Sequence, residues 1–323
     1  MTQITQKELT QSERFMNKVV NEFGSSVGEV ALTNFQKRLA QNYFVAVDSA
    51  LRMAEEKRLK KTNNKDQLAI SWANVNMEKL SRDVIARARI GFDPAQPNHI
   101  SMMPFKNNTL NKYDIVFIEG YRGMELKAVK YGLNVPDNVI VEVVYSTDHF
   151  KSIKKDRNNQ IETYEFAITN EFDRGNIIGG FYYHDYKTTP EKNKLVVMNL
   201  KDIEKRKPKH ASVEFWGGEK DIWENNKKVG KEVVDGWYEK MVYKTVFRAA
   251  HGDVTIDSQK IDDDYLQMKQ SEGEYADGSA AQEINENANR EAIDIEHEIL
   301  EPEHVDADPE PQASKQPTGG PDF

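Results

Sequence analysis

Three cationic side chains recur at four-residue intervals late in the chain. Lys240, Lys244 and Arg248 stand at positions i, i+4 and i+8, so on a helix all three share one face. Like charges at this spacing repel one another by about 0.2–0.5 kcal/mol per pair. A polyanion lying along the face would remove that repulsion, and a solvated face with counterions is the other interpretation of the same pattern.

A second candidate for anion binding lies between residues 118 and 132, where a strand pattern gives way to a helix pattern. Gly120 and Gly123 allow close backbone packing there, and the first N–H groups of a helix can hold a phosphate. Arg122 stands beside them, and Lys127 and Lys130 continue the positive surface along the helix. The same glycines suit simple packing of a helix on a strand, so the spacing leaves both interpretations open.

Further cations lie close in sequence to aromatic residues. Interleaved cations and rings suit sequence-tolerant binding of single-stranded nucleic acid, because phosphates are neutralised while bases stack for ~1–3 kcal/mol each. We expect most of the rings to lie in the core, as aromatic residues usually do. The residues that we predict to contact nucleic acid are Lys106, Tyr113, Arg122, Lys127, Lys130, Lys205, Arg206, Lys207, Lys240, Lys244 and Arg248.

Signatures of bond-making or bond-breaking chemistry are weak in this sequence. The chain has no Cys, and its seven His residues are too far apart to pair as metal ligands on one helix. There is no Walker glycine–lysine loop for ATP. Asp137 and Glu142 suggest a nuclease, but Val144 stands where a lysine would help to activate water. We therefore predict a protein that is not an enzyme, with no cofactor and no metal site, and with magnesium at most as a counterion.

Charge is divided by position along the chain. Residues 262–323 hold eighteen Asp and Glu against three Lys and Arg, a net charge of −15. The first 261 residues hold 41 Lys and Arg against 35 Asp and Glu, a net charge of +6. A basic body with an acidic end is typical of a protein that meets a polyanion and recruits or regulates through its end. Nucleic acid is therefore the first partner that the composition indicates.

Hydrophobic periodicity predicts the elements that position these side chains. β-Branched and aromatic runs indicate strands, of which the first two form a hairpin. Helical spacing predicts helices over residues 8–23, 32–61, 75–90, 120–131, 201–207 and 236–250. Strands are predicted over residues 99–105, 113–118, 139–144, 163–168, 177–183 and 194–198.

The order of these elements predicts an α+β fold. We expect N-terminal helices, a central antiparallel-type β-sheet with helices packed on it, a C-terminal helix, and then a disordered acidic tail. In the helix over residues 75–90, Arg82, Arg87 and Arg89 are expected to face outward. In the helix over residues 236–250, Trp237 is assigned to the packed side.

The end of the chain lacks the apolar residues that a core requires. We predict a folded region over residues 1–255 and a flexible acidic region over residues 256–323. Ile284, Ile295 and Ile299 lie at helical spacing, so a short helix can form when a partner covers them. With Phe323 they are the predicted partner contacts. Because the sequence has no run of 18 apolar residues and no signal-type start, we expect a cytoplasmic protein.

Several segments in a fixed order carry a family resemblance. The segments are Ala88-Arg-Ile-Gly-Phe-Asp-Pro94, Met102-Met-Pro-Phe-Lys-Asn107, Glu119-Gly-Tyr-Arg-Gly-Met124 with Tyr131-Gly132, residues 197–207, and Trp237-Tyr-Glu-Lys-Met-Val-Tyr-Lys-Thr-Val-Phe-Arg-Ala249. Together they resemble the RecT family of phage recombinases, which is related more distantly to the Redβ annealing proteins. Their order and the two longer motifs make the resemblance specific.

The resemblance implies an ATP-independent protein that anneals single-stranded DNA in phage-type homologous recombination and DNA repair. It implies homo-oligomeric rings or helical filaments that hold one strand extended and pair it with its complement into annealed duplex DNA. Residues 1–255 would bind DNA, anneal and oligomerise, and residues 256–323 would bind a phage exonuclease or a host single-strand binding protein. The main alternative is a DNA-binding protein that does not anneal; a metal-dependent nuclease and a phage assembly protein are less favoured.

Overall fold

Helices come first along the chain, antiparallel strands follow, and helices return, which confirms the α+β class. The computed structural model describes residues 9–27, 33–61, 67–208, 211–224 and 227–287. No helix within these ranges has both the length and the apolar composition needed to cross a bilayer. The helices are α1 (Gln11–Val27), α2 (Asn34–Lys60), α3 (Met77–Ile90), α4 (Tyr121–Tyr131), α5 (Leu200–Glu204), α6 (Val213–Trp216), α7 (Tyr238–Gly252) and α8 (Asp263–Asn287). The strands are β1 (Ile100–Asn107), β2 (Lys112–Glu119), β3 (Asn138–Tyr145), β4 (His149–Ile153), β5 (Thr163–Ala167), β6 (Ile177–Asp185), β7 (Lys194–Asn199), β8 (Gly218–Glu224) and β9 (Lys227–Val234).

The described strands form four antiparallel sheets. The central one has three strands in the order β3-β6-β7, and the other three are the hairpins β1-β2, β4-β5 and β8-β9. The β1-β2 hairpin confirms the sequence prediction, and it pairs Lys106 with Tyr113 near its turn. β4, β8 and β9 have no counterpart in the prediction. The many charged residues of β8 and β9 obscure the alternation that marks a strand, and β4 has only five residues.

The first hydrophobic core lies among α1, α2, α3 and the β1-β2 hairpin. Phe15, Leu39 and Tyr43 are fully buried in it. α2 begins at a capping box in which Thr33 and Gln36 each accept a hydrogen bond from the other's backbone N–H, which satisfies two amides at the helix start. The Tyr43 hydroxyl donates to the Phe92 carbonyl at 2.9 Å and so ties α2 to the turn after α3.

α3 departs from its predicted orientation at Arg87. Arg82 is exposed, as expected, but Arg87 is only 2% exposed. Its guanidinium lies 4.4 Å from the ring centroid of Phe117, 3.6 Å from the Asp83 carboxylate and 2.9 Å from Ser271 Oγ, to which it donates. A buried arginine is tolerated because these groups replace its water. The prediction was wrong because all but Asp83 come from distant parts of the chain.

The second core lies between the central sheet and α7. Val242, Val246 and Ala250 recur every four residues on α7 and are fully buried there. Gly180 allows the helix to approach the sheet, because a Cβ at this position would lie 2.9 Å from both Val246 Cγ2 and the Glu142 carbonyl oxygen. The sheet thus fixes which side of α7 faces inward, and the predicted sheet with helices packed on it is confirmed.

The folded region extends past the predicted boundary at residue 255. In α8, Tyr265, Met268 and Ser271 are buried, and the first two belong to the first core. The Gln267 amide also donates to the Asp83 carboxylate at 3.1 Å. The first compact unit of the chain ends at Asp277. The predicted boundary was wrong because a few buried residues spaced three apart are enough to dock α8, although the segment as a whole is polar.

Candidate nucleic-acid interface

Lys240, Lys244 and Arg248 form a line along one side of α7, here called the α7 row. The buried residues Val242 and Val246 occupy the opposite side, so the packing of the helix on the sheet turns the row away from the second core. Lys240 and Arg248 are exposed, and Lys244 is half-buried. Successive members are about 6 Å apart along the helix axis, because each residue adds about 1.5 Å.

Carboxylates of the described residues do not pair with the α7 row. Among the described residues, none has a carboxylate oxygen within 4.0 Å of a cationic nitrogen of the row. Lys240 Nζ instead lies 4.1 Å from the ring centroid of Trp237, and Arg248 Nη1 donates to the Glu119 carbonyl oxygen at 3.2 Å. Burial, with a contribution from the neighbouring Arg248 charge, lowers the pKa of Lys244. The row is therefore a site of concentrated positive charge.

Arg122 on α4 joins this positive surface from the side. Its guanidinium lies 5.2 Å from the ring centroid of Phe247 on α7 and forms an ion pair with Glu125 at 2.9 Å. The hydrogen bond that Arg122 donates to Glu125 raises the pKa of Arg122, so the guanidinium stays charged. Because α4 packs on α7 through the edge-to-face pair of Tyr121 and Phe247, the two helices hold Arg122 near the row.

The start of α4 is a packing site and not an open phosphate site. The Gly120 N–H donates to the His99 carbonyl and the Arg122 N–H to the Asn98 carbonyl, both at 3.1 Å. A Cβ at Gly120 would lie 1.9 Å from the Asn98 oxygen, and one at Gly123 would lie 2.3 Å from the His99 oxygen. Of the two interpretations that the glycine spacing left open, the structure supports close packing.

The two lysines later in α4 are engaged by partners within the fold. Lys127 is largely buried and pairs with the Glu119 carboxylate at 2.5 Å. Lys130 donates to the Arg89 carbonyl oxygen at 3.1 Å, and its Nζ lies 5.1 Å from the ring centroid of Tyr131. We therefore reassign Lys127 to a structural ion pair and regard Lys130 as tying α4 to α3.

The predicted contacts on the β1-β2 hairpin also lie elsewhere. Tyr113 is only 3% exposed, and its hydroxyl donates to the Leu68 carbonyl oxygen at 2.9 Å. Its ring is therefore unavailable for stacking on a base, and its assignment as a nucleic-acid contact was wrong. The tertiary hydrogen bond that anchors it cannot be read from a strand pattern. Lys106, its partner across the hairpin, is half-buried.

A basic run at the end of α5 lies near the start of α7. Lys205, Arg206 and Lys207 are all exposed. Lys207 Nζ lies 5.7 Å from the ring centroid of Trp216, and that ring forms an edge-to-face pair with Tyr238 on α7 at 6.2 Å. The predicted run and the α7 row are thus linked through two aromatic side chains.

Trp237 is the functional candidate that the hydrophobic pattern missed. It was assigned to the packed side of α7, but it precedes the helix and is 56% exposed. Gly236 immediately before it has φ +64, a conformation that favours glycine and turns the chain at this point. The available signal was that glycine, since a turn just before a helix places the next side chain outside the helical periodicity.

The structure describes little of the predicted partner-binding stripe. Ile284 lies in α8, while Ile295, Ile299 and Phe323 lie outside the described residues. These four predicted contacts remain predictions.

Of the predicted contacts, the α7 row lies on α7, and Arg122 and the run over residues 205–207 lie near that helix. We do not assign Lys106, Tyr113, Lys127 and Lys130 to this surface. Comparisons of the chain with models of protein families, with curated proteins and with solved structures found no match. The surface around α7 can hold an anion electrostatically, because its cations are concentrated and the three of the α7 row have no carboxylate partner among the described residues.

Proposed function

We propose that this chain is an ATP-independent annealing protein for single-stranded DNA, as its resemblance to the RecT family implies. The observation that carries the proposal is the α7 row, whose three cations have no carboxylate partner among the described residues. Unneutralised cations in line suit the phosphates of a polynucleotide, since binding releases the counterions of both. The nearby exposed ring of Trp237 suits an unpaired base.

Annealing needs no bond chemistry under this proposal. One strand lies with its phosphates along the α7 row and with bases free to pair. Neutralising its charge lowers the repulsion that a complementary strand meets on approach. Pairing and stacking then release ~1.4 kcal/mol per base-pair step, which drives the reaction without nucleotide hydrolysis. Lys205, Arg206 and Lys207 extend the positive surface beyond the start of α7.

A single copy of the chain presents only a short surface. The α7 row extends over about 12 Å of helix, because its eight-residue span rises about 1.5 Å per residue. A strand long enough to anneal stably therefore requires several copies side by side, in a homo-oligomeric ring or helical filament. We assign DNA binding, annealing and oligomerisation to the unit that ends at Asp277. The remaining acidic segment would bind a phage exonuclease or a host single-strand binding protein.

The experiment is to mix two complementary oligonucleotides, one with a fluorophore and one with a quencher, and to follow pairing at low salt. We expect the protein to accelerate pairing without ATP. The triple variant Lys240→Gln, Lys244→Gln and Arg248→Gln should lose most of the acceleration. A matched control instead removes three exposed lysines at and just after the end of α2: Lys57→Gln, Lys60→Gln and Lys61→Gln.

The control variant should accelerate pairing as well as the unaltered chain does, because it loses the same charge at a different place. Binding of single strands without any acceleration would identify a DNA-binding protein that does not anneal. If neither binding nor acceleration occurs at low salt, the proposal is wrong.

A further inference from the structure

Trp237 has an unusual combination of exposure and a fixed backbone. Its residue surface is 56% exposed, yet its N–H donates to the Phe215 carbonyl oxygen at 2.9 Å. Large apolar rings that remain exposed on a rigid support are candidates for contact with a ligand. The indole is thus presented by the fold and does not belong to any of the three hydrophobic clusters of buried residues.

Two facing glycines hold the backbone next to Trp237. Gly217 and Gly236 have φ +70 and φ +64. A Cβ at Gly236 would lie 2.5 Å from the Gly217 nitrogen, and a Cβ at Gly217 would lie 2.7 Å from the Asp235 carbonyl oxygen. The two segments that flank the β8-β9 hairpin therefore touch through their backbones. This close contact fixes the direction in which the indole leaves the chain.

A cavity opens beside the indole at the start of α7. Its volume is about 720 Å³, and Trp237, Tyr145, Asn176 and Lys240 are among its lining residues. This volume is within the usual range for small-molecule sites, about 300–1,000 Å³. Lys240 Nζ lies 4.1 Å from the indole centroid, so a cation covers one face of the ring. Because Lys240 is the first residue of the α7 row, the cavity lies at one end of the row.

The charges around the cavity select against a phosphate inside it. Asp235 and Glu239 line it together with Lys240. Two carboxylates repel a phosphate but can accept hydrogen bonds from amino and imino groups. A flat ring that carries such donors, and that can stack on an indole, fits this set of groups. Nucleobases have both properties, while their phosphates would lie outside on the α7 row.

We propose that this cavity holds one base of the bound strand, stacked on the face of Trp237 opposite Lys240. The proposal rests on the proposed function, since the base belongs to the strand whose phosphates the α7 row neutralises. Stacking of this kind tolerates any sequence, because every base has a flat face. The pocket would fix the position of the strand along α7 without reading its sequence.

The test compares a single-stranded oligothymidine with an abasic oligonucleotide of equal length at one salt concentration. The unaltered chain should bind the base-bearing strand more tightly, by about fivefold to a hundredfold for one stacked base. Trp237→Ala should remove most of this preference while binding the abasic strand as before. Trp237→Phe, which keeps a ring, should retain part of it.

A second measurement does not depend on the alanine variant being folded. The emission of Trp237 is obtained as the difference between the unaltered chain and Trp237→Phe, because three other tryptophans remain in both. Oligothymidine should quench this difference signal, and the abasic strand should leave it unchanged.

The failures of the two proposals are distinguishable. The base-pocket proposal is wrong, and DNA binding stands, if the unaltered chain binds both strands equally. The same conclusion follows if oligothymidine quenches the emission of Trp237→Phe as much as that of the unaltered chain. If Trp237→Ala alters the oligomeric state and not the preference for bases, Trp237 contacts another copy and the base pocket is wrong. If neither strand binds, the proposed function fails and the pocket fails with it.

Discussion

Lys79, Asp83 and Arg87 on α3 occupy the same helical spacing as Lys240, Lys244 and Arg248 on α7, but the two helices use their cations differently. On α3, Arg87 is buried against Asp83, and Lys79 pairs with Glu274 of α8. On α7, no carboxylate of the described residues reaches the row. The cations of α3 hold the fold together, and those of α7 remain available to an external anion.

Spacing along one helix therefore does not decide whether a cation is structural. The partners of Lys79 and Arg87 on α8 lie more than 180 residues further along the chain. Two glutamates close to the α7 row pair with other cations: Glu119 with Lys127 and Glu125 with Arg122. The same contrast holds for rings, because Tyr113 is buried whereas Trp237 is exposed.

The largest expected effect comes from removing α8. Truncation after residue 261 deletes the buried Tyr265 and Met268 and leaves Arg87 without Ser271. We expect a loss of at least ~5 kcal/mol in the free energy of unfolding, because buried side chains and a buried charge are affected together. Urea unfolding followed by circular dichroism measures it.

Truncation after residue 277 is the matched control, because the first compact unit ends there. It should change the free energy of unfolding by less than about 1 kcal/mol. Equal stability of the two truncations would mean that α8 is not part of the core.

The second prediction compares the loss of one arginine from α3 with the loss of one arginine from α7. Arg87→Gln should lower the free energy of unfolding by about 3–5 kcal/mol, since it removes the buried cation beside Asp83 and leaves that carboxylate with the cation of Lys79, whose Nζ lies 3.9 Å away. Arg248→Gln removes an exposed cation and should cost less than about 0.5 kcal/mol. Similar losses for both variants would contradict the division into structural and available cations.

A smaller effect concerns pH and the second core. Burial lowers the pKa of His184 and of His251. The unfolded chain therefore binds more protons than the folded one below about pH 6.5, the ordinary histidine pKa. The contribution of each histidine is fully present above that pH and is lost as the pH falls, by up to about 1.4 kcal/mol per pH unit.

Unfolding midpoints in urea at about pH 7.5 and about pH 5.5 measure this dependence. His184→Gln should make the dependence weaker, because glutamine can still donate to the Ala250 carbonyl, the partner of His184, without titrating. The exposed His149 provides the control, and His149→Gln should leave the dependence in place. An unchanged dependence in His184→Gln would refute the assignment.

The smallest expected effect is on DNA binding by Lys127→Gln. Since Lys127 is already paired with Glu119, its loss should leave the salt dependence of DNA binding unchanged. A lysine in contact with a phosphate would instead contribute ~0.7 to the slope of log K against log salt for a single strand. A decrease of that size would return Lys127 to the DNA-binding surface.

Periodicity along the chain predicted most elements of the fold. The buried stripe of α7, with Val242 and Val246, and the β1-β2 hairpin depend on neighbours in sequence, so their patterns are visible in the sequence. The charged hairpin β8-β9 is not visible in this way. Its strands are joined by cross-strand ion pairs such as Lys231 with Glu219 and pack few apolar residues.

The candidate site was predictable in part. The α7 row follows from spacing, and the structure keeps it on one face. The burial of Arg87 and Tyr113 was not predictable, because their partners Ser271 and Leu68 come from other parts of the chain. Trp237 was missed because the helical periodicity was extended to it and placed it on the packed side, whereas α7 begins one residue later.

The most direct test of the account is the salt dependence of single-strand binding. Log K is measured against log salt for the unaltered chain and for the two triple variants, that of the α7 row and that of Lys57, Lys60 and Lys61. If the α7 row holds phosphates, its variant loses about 2 units of slope, at ~0.7 per contact, and the α2 variant keeps the original slope. Equal slopes for all three proteins would contradict the central claim that the α7 row is where the strand binds.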